Sequence, residues 1–154
     1  MVDVSIISKM GFMKPCGGGN CRMCHTISKD TTITHPLTGK TQIIKGHYDC
    51  SSANIIYLIR CRKCPEAWYI GETMQTLRGR FIGHRSTIRG KSGPVGTHFS
   101  GRGHSQNDMQ VSVLQSGFKS ATERLIAEQK FVREFGLIEN GLNIDKDFMS
   151  HYTL

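Results

Sequence analysis

Long apolar stretches are missing from this 154-residue sequence. None reaches about 18 residues, the length that a membrane-spanning helix requires, so we expect no membrane association. The segment from Met1 to Met13 lacks the basic start and long apolar core of a secretory signal peptide, and we expect an intracellular protein. Internal repeats and low-complexity tracts are also absent, and the hydrophobic content of 38% is globular.

Acidic residues are few, because 12 Asp and Glu stand against 20 Lys and Arg, which gives a formal charge of +8. Between Arg60 and Lys91, eight basic residues occur with only Glu66 and Glu72 to offset them. Clustered positive charge favours a polyanion, most often nucleic acid, and the alternative is a soluble basic protein without such a partner. The candidate nucleic-acid contacts are Arg78, Arg85, Arg89 and Lys91.

Large apolar residues are sparse between residues 16 and 50. Residues 16–50 are rich in Cys, Gly, Thr and His, so a bound metal would have to organise this segment. From Ser51 the composition is that of a folded domain. We therefore expect a Cys-rich, zinc-binding extension over residues 1–50 and a compact domain over residues 51–154.

The apolar pattern after residue 50 predicts an α+β domain. The expected strands are Ile55 to Arg60, Trp68 to Gly71 and Met109 to Gln115, and the expected helices begin at Thr73, Pro94 and Thr122. The first two strands are close enough in sequence to form a hairpin with an elaborated loop. Gly90 and Gly136 are typical ends for the two long helices.

The six cysteines favour metal binding over disulfides, because two CxxC pairs occur in a chain without a secretory signal. Cys61 and Cys64 lie in the hairpin loop, and His98 and His104 follow the first long helix. Two sulfurs and two imidazoles make a closed tetrahedral zinc site, which would tie the hairpin to the later segment. The alternative is that the two histidines lie on the surface or face DNA.

The other four cysteines are enough for a second closed zinc site. They are Cys16, Cys21, Cys24 and Cys50. His25, His35 and His47 are possible substitutes in this set. A different partition, in which Cys21 and Cys24 join Cys61 and Cys64, also remains open.

Polar residues lie on or beside the predicted strands and helices of the compact domain. Tyr57 ends Ile55-Ile56-Tyr57, and Tyr69 begins Tyr69-Ile70-Gly71. Arg80 and His84 are four residues apart and share a helix face.

Two more polar residues occur later in the chain. Glu128 lies on the apolar face of the second long helix, where a carboxylate needs a metal, a cation or hydrogen-bond donors. A structural salt bridge to an internal arginine is the alternative for Glu128. Asn143 closes the segment Asn140-Gly-Leu-Asn143.

This order of residue types, from Ser51 to Asn143, resembles the GIY-YIG nuclease family. A pair of cysteines between the two tyrosine motifs, together with the later histidines, resembles the endonuclease domain of Penelope-like retroelements. The resemblance implies a small three-stranded antiparallel sheet flanked by helices. It also implies cleavage of DNA phosphodiesters with one divalent cation, Mg²⁺ or Mn²⁺.

The resemblance also implies a role for each matching residue. Glu128 corresponds to the ligand of the catalytic metal, and Arg80 to the arginine that stabilises the charged phosphate. Tyr57 corresponds to the residue that helps to deprotonate the attacking water, and Tyr69 to its partner. A tyrosine, with a pKa near 10, is a poor base unless nearby cations lower its pKa, as Arg80 and a metal would.

Two further residues match the family pattern and one does not. His84 corresponds to the active-site histidine and Asn143 to the asparagine that closes the site. Ile55 stands where the family has glycine, and the apolar run Ile55-Ile56 indicates an ordinary buried strand.

The implied biology is a nuclear protein that nicks target DNA for target-primed reverse transcription, as part of a larger reverse transcriptase polypeptide. One alternative is another GIY-YIG nuclease, of the homing or repair type. The other is a zinc-stabilised nucleic-acid-binding module without catalysis.

Overall fold

The computed structural model describes residues 11–144 and contains seven strands and four α-helices in that range. The strands are β1 (Phe12–Met13), β2 (Thr32–Thr34), β3 (Thr41–Ile43), β4 (His47–Tyr48), β5 (Ala53–Cys61), β6 (Trp68–Thr76) and β7 (Met109–Ser116). The helices are α1 (Leu77–Gly90), α2 (Gly93–Phe99), α3 (Ala121–Glu134) and α4 (Leu137–Asn140). The fold class is α+β, as expected from the sequence.

The longest strands form an antiparallel sheet in the order β6–β5–β7. Strand β5 is buried on both faces: Ile55, Tyr57 and Ile59 belong to one apolar cluster. Ile56 and Leu58 belong to the other. A strand that is covered on both faces has apolar residues at successive positions rather than at alternate ones. This explains the continuous apolar run in the sequence from which β5 was predicted. Helices α1 and α2 contribute to the Tyr57 cluster, and α3 and α4 to the opposite one.

Helix α1 begins later than the sequence predicted. Strand β6 continues through Thr73 to Thr76, because its pairing with β5 extends past a bulge to Ala53. The hydroxyl of Thr76 then accepts a hydrogen bond from the Gly79 N–H at 3.1 Å and caps the helix. The prediction that this helix begins at Thr73 is therefore wrong, since Thr73 is a buried strand residue.

The segment 11–50 packs on both faces of the sheet. Met13 and Met23 lie in the Tyr57 cluster, and Ile33 and Ile44 lie in the opposite cluster. Strands β1 and β4 form a parallel pair, and β2 and β3 an antiparallel hairpin. The segment thus buries more apolar surface than its composition indicated.

The remaining helices follow the sequence pattern closely. Ser120 caps α3 by accepting a hydrogen bond from the Glu123 N–H at 3.0 Å. Helix α2 carries Pro94 in its first turn, where a missing N–H costs nothing. Between residues 11 and 144, no helix combines the length and the apolar character needed to cross a membrane.

Candidate active site and metal centres

Tyr57 and His84 form the centre of the candidate active site. Tyr57 lies in the middle strand β5 with 0% of its surface exposed. Its phenol oxygen is 2.7 Å from Nε2 of His84, which is buried on α1. The rings of Tyr69 and Phe81 pack edge-on against the imidazole, with centroid distances of 5.9 and 5.6 Å. Both tyrosines of the predicted motif therefore contact the same histidine.

Gly71 makes room for the buried phenol. It pairs with Tyr57 across the β5–β6 ladder, and a Cβ atom at this position would overlap the Tyr57 ring. Any larger residue would push the phenol away from His84. The glycine that follows Tyr69-Ile70 thus has a packing role that its sequence position alone does not reveal.

Burial controls the protonation of this cluster. It lowers the pKa of His84 to about 3, and the Arg80 guanidinium lowers it further in the same direction. Burial also raises the pKa of Tyr57, and the neighbouring Tyr69 adds to the effect while Arg80 opposes it. At neutral pH the imidazole is therefore uncharged and the phenol keeps its proton.

Tyr69 is in a similar electrostatic environment. Burial raises its pKa, the Glu128 carboxylate raises it further, and Arg80 opposes the shift. Glu128 also contributes to the raised pKa of Tyr57. The two tyrosines, the arginine and the glutamate therefore act on one another electrostatically.

Arg80 extends along the surface of α1. A Cβ atom at Gly83 would lie 2.8 Å from its Nη1 atom, so the glycine leaves the space that the guanidinium occupies. Arg80 lines an open cleft of about 500 Å³ together with Glu72 and Arg124. It also lines a smaller cavity of about 190 Å³ that contains Tyr69 and His84. The guanidinium thus lies between the tyrosine cluster and open solvent.

A cavity of similar size lies elsewhere. It has a volume of about 520 Å³ and is lined by residues of β7 and α3, including Leu114 and Phe131. These side chains belong to the opposite apolar cluster, and none of the predicted site residues lines this cavity. Volume alone therefore does not identify the candidate site, and the chemistry of the cleft beside Arg80 is the better guide.

Glu128 is buried on α3 with 2% of its surface exposed. Its Oε1 atom accepts a hydrogen bond from Gln129 Nε2 at 2.9 Å. One turn earlier on the same helix, the buried Arg124 forms an ion pair with Glu72 of β6. No local sequence pattern predicts this ion pair, because its two residues are 52 positions apart.

Asn54 holds the bulge in β5. It has a positive φ of 53°, which asparagine tolerates better than most residues. Its Oδ1 accepts from Arg124 Nη1 at 2.8 Å, and its Nδ2 donates to the Phe118 carbonyl at 2.8 Å. The unusual backbone angle is thus at Asn54, and Ile55 is an ordinary buried strand residue.

Asn143 binds the backbone of the edge strand. Its Oδ1 accepts from the Ile70 N–H and its Nδ2 donates to the Ile70 carbonyl, both at 2.9 Å. The N–H of Leu142 donates to the Trp68 carbonyl at 2.8 Å. These bonds cover the open edge of β6 on both sides of Tyr69. Asn143 therefore acts on the site through the strand, as a positioning residue.

The first metal centre gathers Cys16, Cys21, Cys24 and Cys50, whose sulfur atoms all lie within 4.8 Å of one another. The Sγ atoms of Cys16 and Cys24 are 3.6 Å apart, and those of Cys24 and Cys50 are 3.9 Å apart. A zinc tetrahedron with Zn–S bonds of about 2.3 Å has edges of about 3.8 Å. The four sulfurs therefore fit a zinc ion.

Arg78 lies against this centre. Its Nη2 atom donates to Cys16 Sγ at 3.0 Å, and the Gly18 N–H donates to the same sulfur at 3.4 Å. The Gly18 N–H and then Arg78 lower the pKa of the Cys16 thiol. Donors of this kind stabilise the thiolate form that binds a metal. Arg78 was predicted to contact DNA, but the structure places it on the first metal centre.

The second metal centre gathers Cys61, Cys64, His98 and His104, with ligand atoms within 4.8 Å of one another. Cys64 Sγ is 3.2 Å from His104 Nε2. The other ring nitrogen of His104 is 3.2 Å from the Arg102 carbonyl, a donation that leaves Nε2 free for a metal. His98 Nε2 is buried and has no hydrogen-bond partner among the described residues, and a metal ion would satisfy it.

The other metal partitions considered from the sequence are not formed. The two groups share no residue, so Cys21 and Cys24 do not join Cys61 and Cys64. His35 is buried against Trp68, and its Nδ1 accepts backbone N–H bonds at 3.2 and 3.3 Å. Within residues 11–144, the metal-binding groups include none of the histidines His25, His35 and His47.

The remaining predicted DNA contacts lie on the surface of α1 or at its end. Arg89 is exposed, Arg85 is half-buried, and Lys91 is exposed at the helix C-terminus with a φ of 54°. At about 100° per residue, Arg85 and Arg89 lie about 140° and 180° around the helix from Arg80. They therefore cannot line the same side of α1 as Arg80.

Comparison with known proteins identifies no relative. No protein-family model, no curated protein and no solved structure matches this chain. The functional interpretation therefore depends on the residues and on their geometry.

Proposed function

We propose that the protein is a metal-dependent endonuclease that cleaves phosphodiester bonds in DNA. The observation that carries this proposal is the Tyr57–His84 contact of 2.7 Å, formed beside Tyr69 and an arginine that reaches an open cleft. Buried polar groups with shifted pKa values at the edge of a cleft are typical of catalytic sites.

Arg80 would bind the phosphate. Its planar guanidinium can engage two oxygens at once, and it lies where the cleft meets the tyrosine cluster. In the transition state this charge would stabilise the additional negative charge on the phosphate.

Tyr57 and His84 would move the proton of the attacking water. The raised pKa of Tyr57 makes a free phenolate unfavourable, so the phenol must release its own proton as it accepts one. Neutral His84 can take that proton at Nε2 only in passing, because burial and the Arg80 charge lower its pKa to about 3, and it would then release the proton to solvent. As the water oxygen bonds to phosphorus and the P–O3′ bond breaks, the water proton would pass to the Tyr57 oxygen and the phenol proton to His84. The leaving 3′ oxygen would take its proton from solvent.

Glu128 would hold the divalent cation, Mg²⁺ or Mn²⁺. Its carboxylate is buried and acts electrostatically on both tyrosines, which fits a position beside the reacting phosphate. When bound, such a cation neutralises phosphate charge and lowers the pKa of a coordinated water.

The two cysteine-rich centres support the more specific interpretation. The second centre ties the loop between the tyrosine strands to α2, as in the Penelope-like pattern that the sequence resembles. On this basis we propose that the chain nicks target DNA in the nucleus, as part of a reverse transcriptase polypeptide. The reading frame around this sequence would separate that role from a homing or repair nuclease.

A zinc-stabilised nucleic-acid-binding module without catalysis is the second candidate. The complete burial of Tyr57 favours it, because a phenol with no exposed surface cannot meet a water unless the site opens. The two candidates differ in whether DNA is cut.

Nicking of supercoiled plasmid DNA tests the proposal. The wild-type protein should produce open circles with Mg²⁺ or Mn²⁺ and none with EDTA. Tyr57→Phe should abolish nicking. Tyr48→Phe, which removes only an exposed hydroxyl that contacts Ser116, should retain it. Binding without nicking under all conditions would support the non-catalytic module instead.

A further inference from the structure

Helix α1 carries arginines on two opposite flanks. Its inner side is buried and includes Leu77, Phe81 and His84. Arg80 lies on one flank, toward the cleft. Arg85 and Arg89 lie on the other flank, about 140° and 180° around the axis. The helix therefore carries positive charge on two flanks, and its outer, solvent-facing side lies between these flanks.

A third arginine extends the second flank. Arg22 is exposed and lines the same small crevice as Arg85. None of the ion pairs among residues 11–144 includes Arg22, Arg85 or Arg89. We call these three residues the second arginine row. Arg78 is excluded from it, since its guanidinium is used by the first metal centre.

The outer side of α1 has little bulk. It carries Gly79, Gly83 and Ser86, with the exposed Ile82 toward the second row. A helix with its side chains is about 10–12 Å in diameter, and the DNA major groove is about 12 Å wide. A helix of this size in the groove has one phosphate backbone on each flank. On the Arg80 flank that backbone can approach only the N-terminal half of α1, because α2 packs on Thr87. Three arginines without an ion pair among residues 11–144 match the charge of such a backbone, which has one phosphate per about 3.4 Å of each strand.

We propose that α1 lies in the major groove of duplex DNA, with the second arginine row on the phosphates of the strand that is not cut. Arg80 then faces the strand that is cut. This inference deepens the proposed nuclease function and rests on it for the role of Arg80. It assigns the two strands of the duplex to opposite flanks of one helix.

The test compares DNA binding by wild-type protein and by Arg85→Ala/Arg89→Ala, in Ca²⁺, on a duplex and on a single strand of equal length. Each phosphate contact contributes a slope of about −0.9 to log Kobs against log salt, so the double variant should lose about 1.8 of the slope on duplex DNA. If the two proteins bind duplex DNA equally at 1 M salt, the double variant should bind it up to about 60-fold more weakly than the wild type at 0.1 M salt.

The affinity of the double variant for the single strand should differ from that of the wild type by less than about threefold. The reason is that a single strand binds on the Arg80 flank and does not contact the second arginine row. Lys130→Ala/Arg133→Ala removes the same charge from exposed positions of α3 and is the matched control. It should leave the duplex slope unchanged, and thermal melts should show that both variants are folded. Arg22→Ala should lower the slope by about 0.9 more when it is added to the double variant.

Equal losses on duplex and single strand, or an unchanged duplex slope, would overturn the proposal. The binding measurement is independent of cleavage, so the two hypotheses can fail separately. If the wild-type protein nicks DNA but the variants of the second arginine row bind duplex normally, α1 does not lie in the major groove as proposed, and the nuclease function stands. If those variants weaken duplex binding but the wild-type protein never nicks DNA, the nuclease function is wrong and the second arginine row is still a DNA contact.

Discussion

Replacing His84 by Gln should change how the stability of the protein depends on pH. His84 is 3% exposed, and burial followed by the Arg80 charge lowers its pKa to about 3 in the folded state. In the unfolded chain a histidine has a pKa of about 6.5. As the pH falls below that value, the unfolded chain binds a proton that the folded protein does not. The folded protein therefore loses stability as the pH falls from about 6.5 toward 3.

The magnitude follows from these two pKa values. Between pH 8 and pH 5, the unfolded state gains about 2 kcal/mol from protonation of this one residue, because the folded pKa of about 3 lies below the range. His84→Gln keeps a polar group near the Tyr57 hydroxyl and removes the titration. The variant should lose about 2 kcal/mol less than the wild type over this interval.

Urea unfolding at a series of pH values, with zinc in excess, measures the effect. His47→Gln, at an exposed histidine packed on Phe12, is the control for replacing a histidine outside the buried cluster. If His84→Gln and the wild type lose the same stability between pH 8 and pH 5, His84 is not a buried neutral imidazole, and the proton transfer proposed for it has no basis.

Three further changes test other parts of the site. Arg78→Gln removes the donor to Cys16 and should weaken zinc binding at the first centre by about 10–100-fold in chelator competition, and an equal effect at the second centre would contradict this role. Cys61→Ala should lower the zinc content by one ion per chain in elemental analysis, and loss of both ions would show that the centres depend on each other. Gly83→Ala should displace Arg80 and slow nicking at saturating DNA without lowering the melting temperature, and an unchanged rate would show that Arg80 does not act from this position.

Much of the sheet could be predicted because its signals are local. The apolar run in β5 and the alternation of Met109, Val111 and Val113 in β7 reflect burial on the core faces. The two metal centres were also accessible from the sequence, although Cys50, His98 and His104 come from distant segments. Two CxxC pairs and a pair of histidines leave few ways to make closed zinc sites. Restrictive ligand chemistry, rather than short spacing, makes the metal centres predictable.

The remaining features depend on contacts between distant segments. Thr76 rather than Thr73 caps α1 because a bulge at Asn54 lengthens the strand pairing. The Arg124–Glu72 ion pair joins α3 to β6. No sequence motif marks Arg124 or Glu72 as partners, because the two residues become neighbours only when α3 packs on β6.

The positions of the basic residues were also beyond the sequence. Arg78, Arg85 and Arg89 lie in one basic segment, but the first contacts a cysteine and the other two lie on the far flank of α1 from Arg80. Net charge shows that a polyanion is favoured and does not show which side chains are free to bind it. Once the boundaries of α1 are known, the helical period of about 100° per residue shows which arginines lie on the same flank of the helix.

The central claim is that Glu128 holds the catalytic cation in a DNA nuclease. The most direct test is nicking of supercoiled plasmid by wild-type protein and by Glu128→Gln in Mg²⁺ and Mn²⁺, with a thermal melt and DNA binding in Ca²⁺ on the same samples. Wild-type protein should nick the plasmid. The variant should be folded, should bind DNA at least as tightly because a negative charge is removed, and should not nick. Nicking near the wild-type rate by a folded Glu128→Gln protein would contradict the claim.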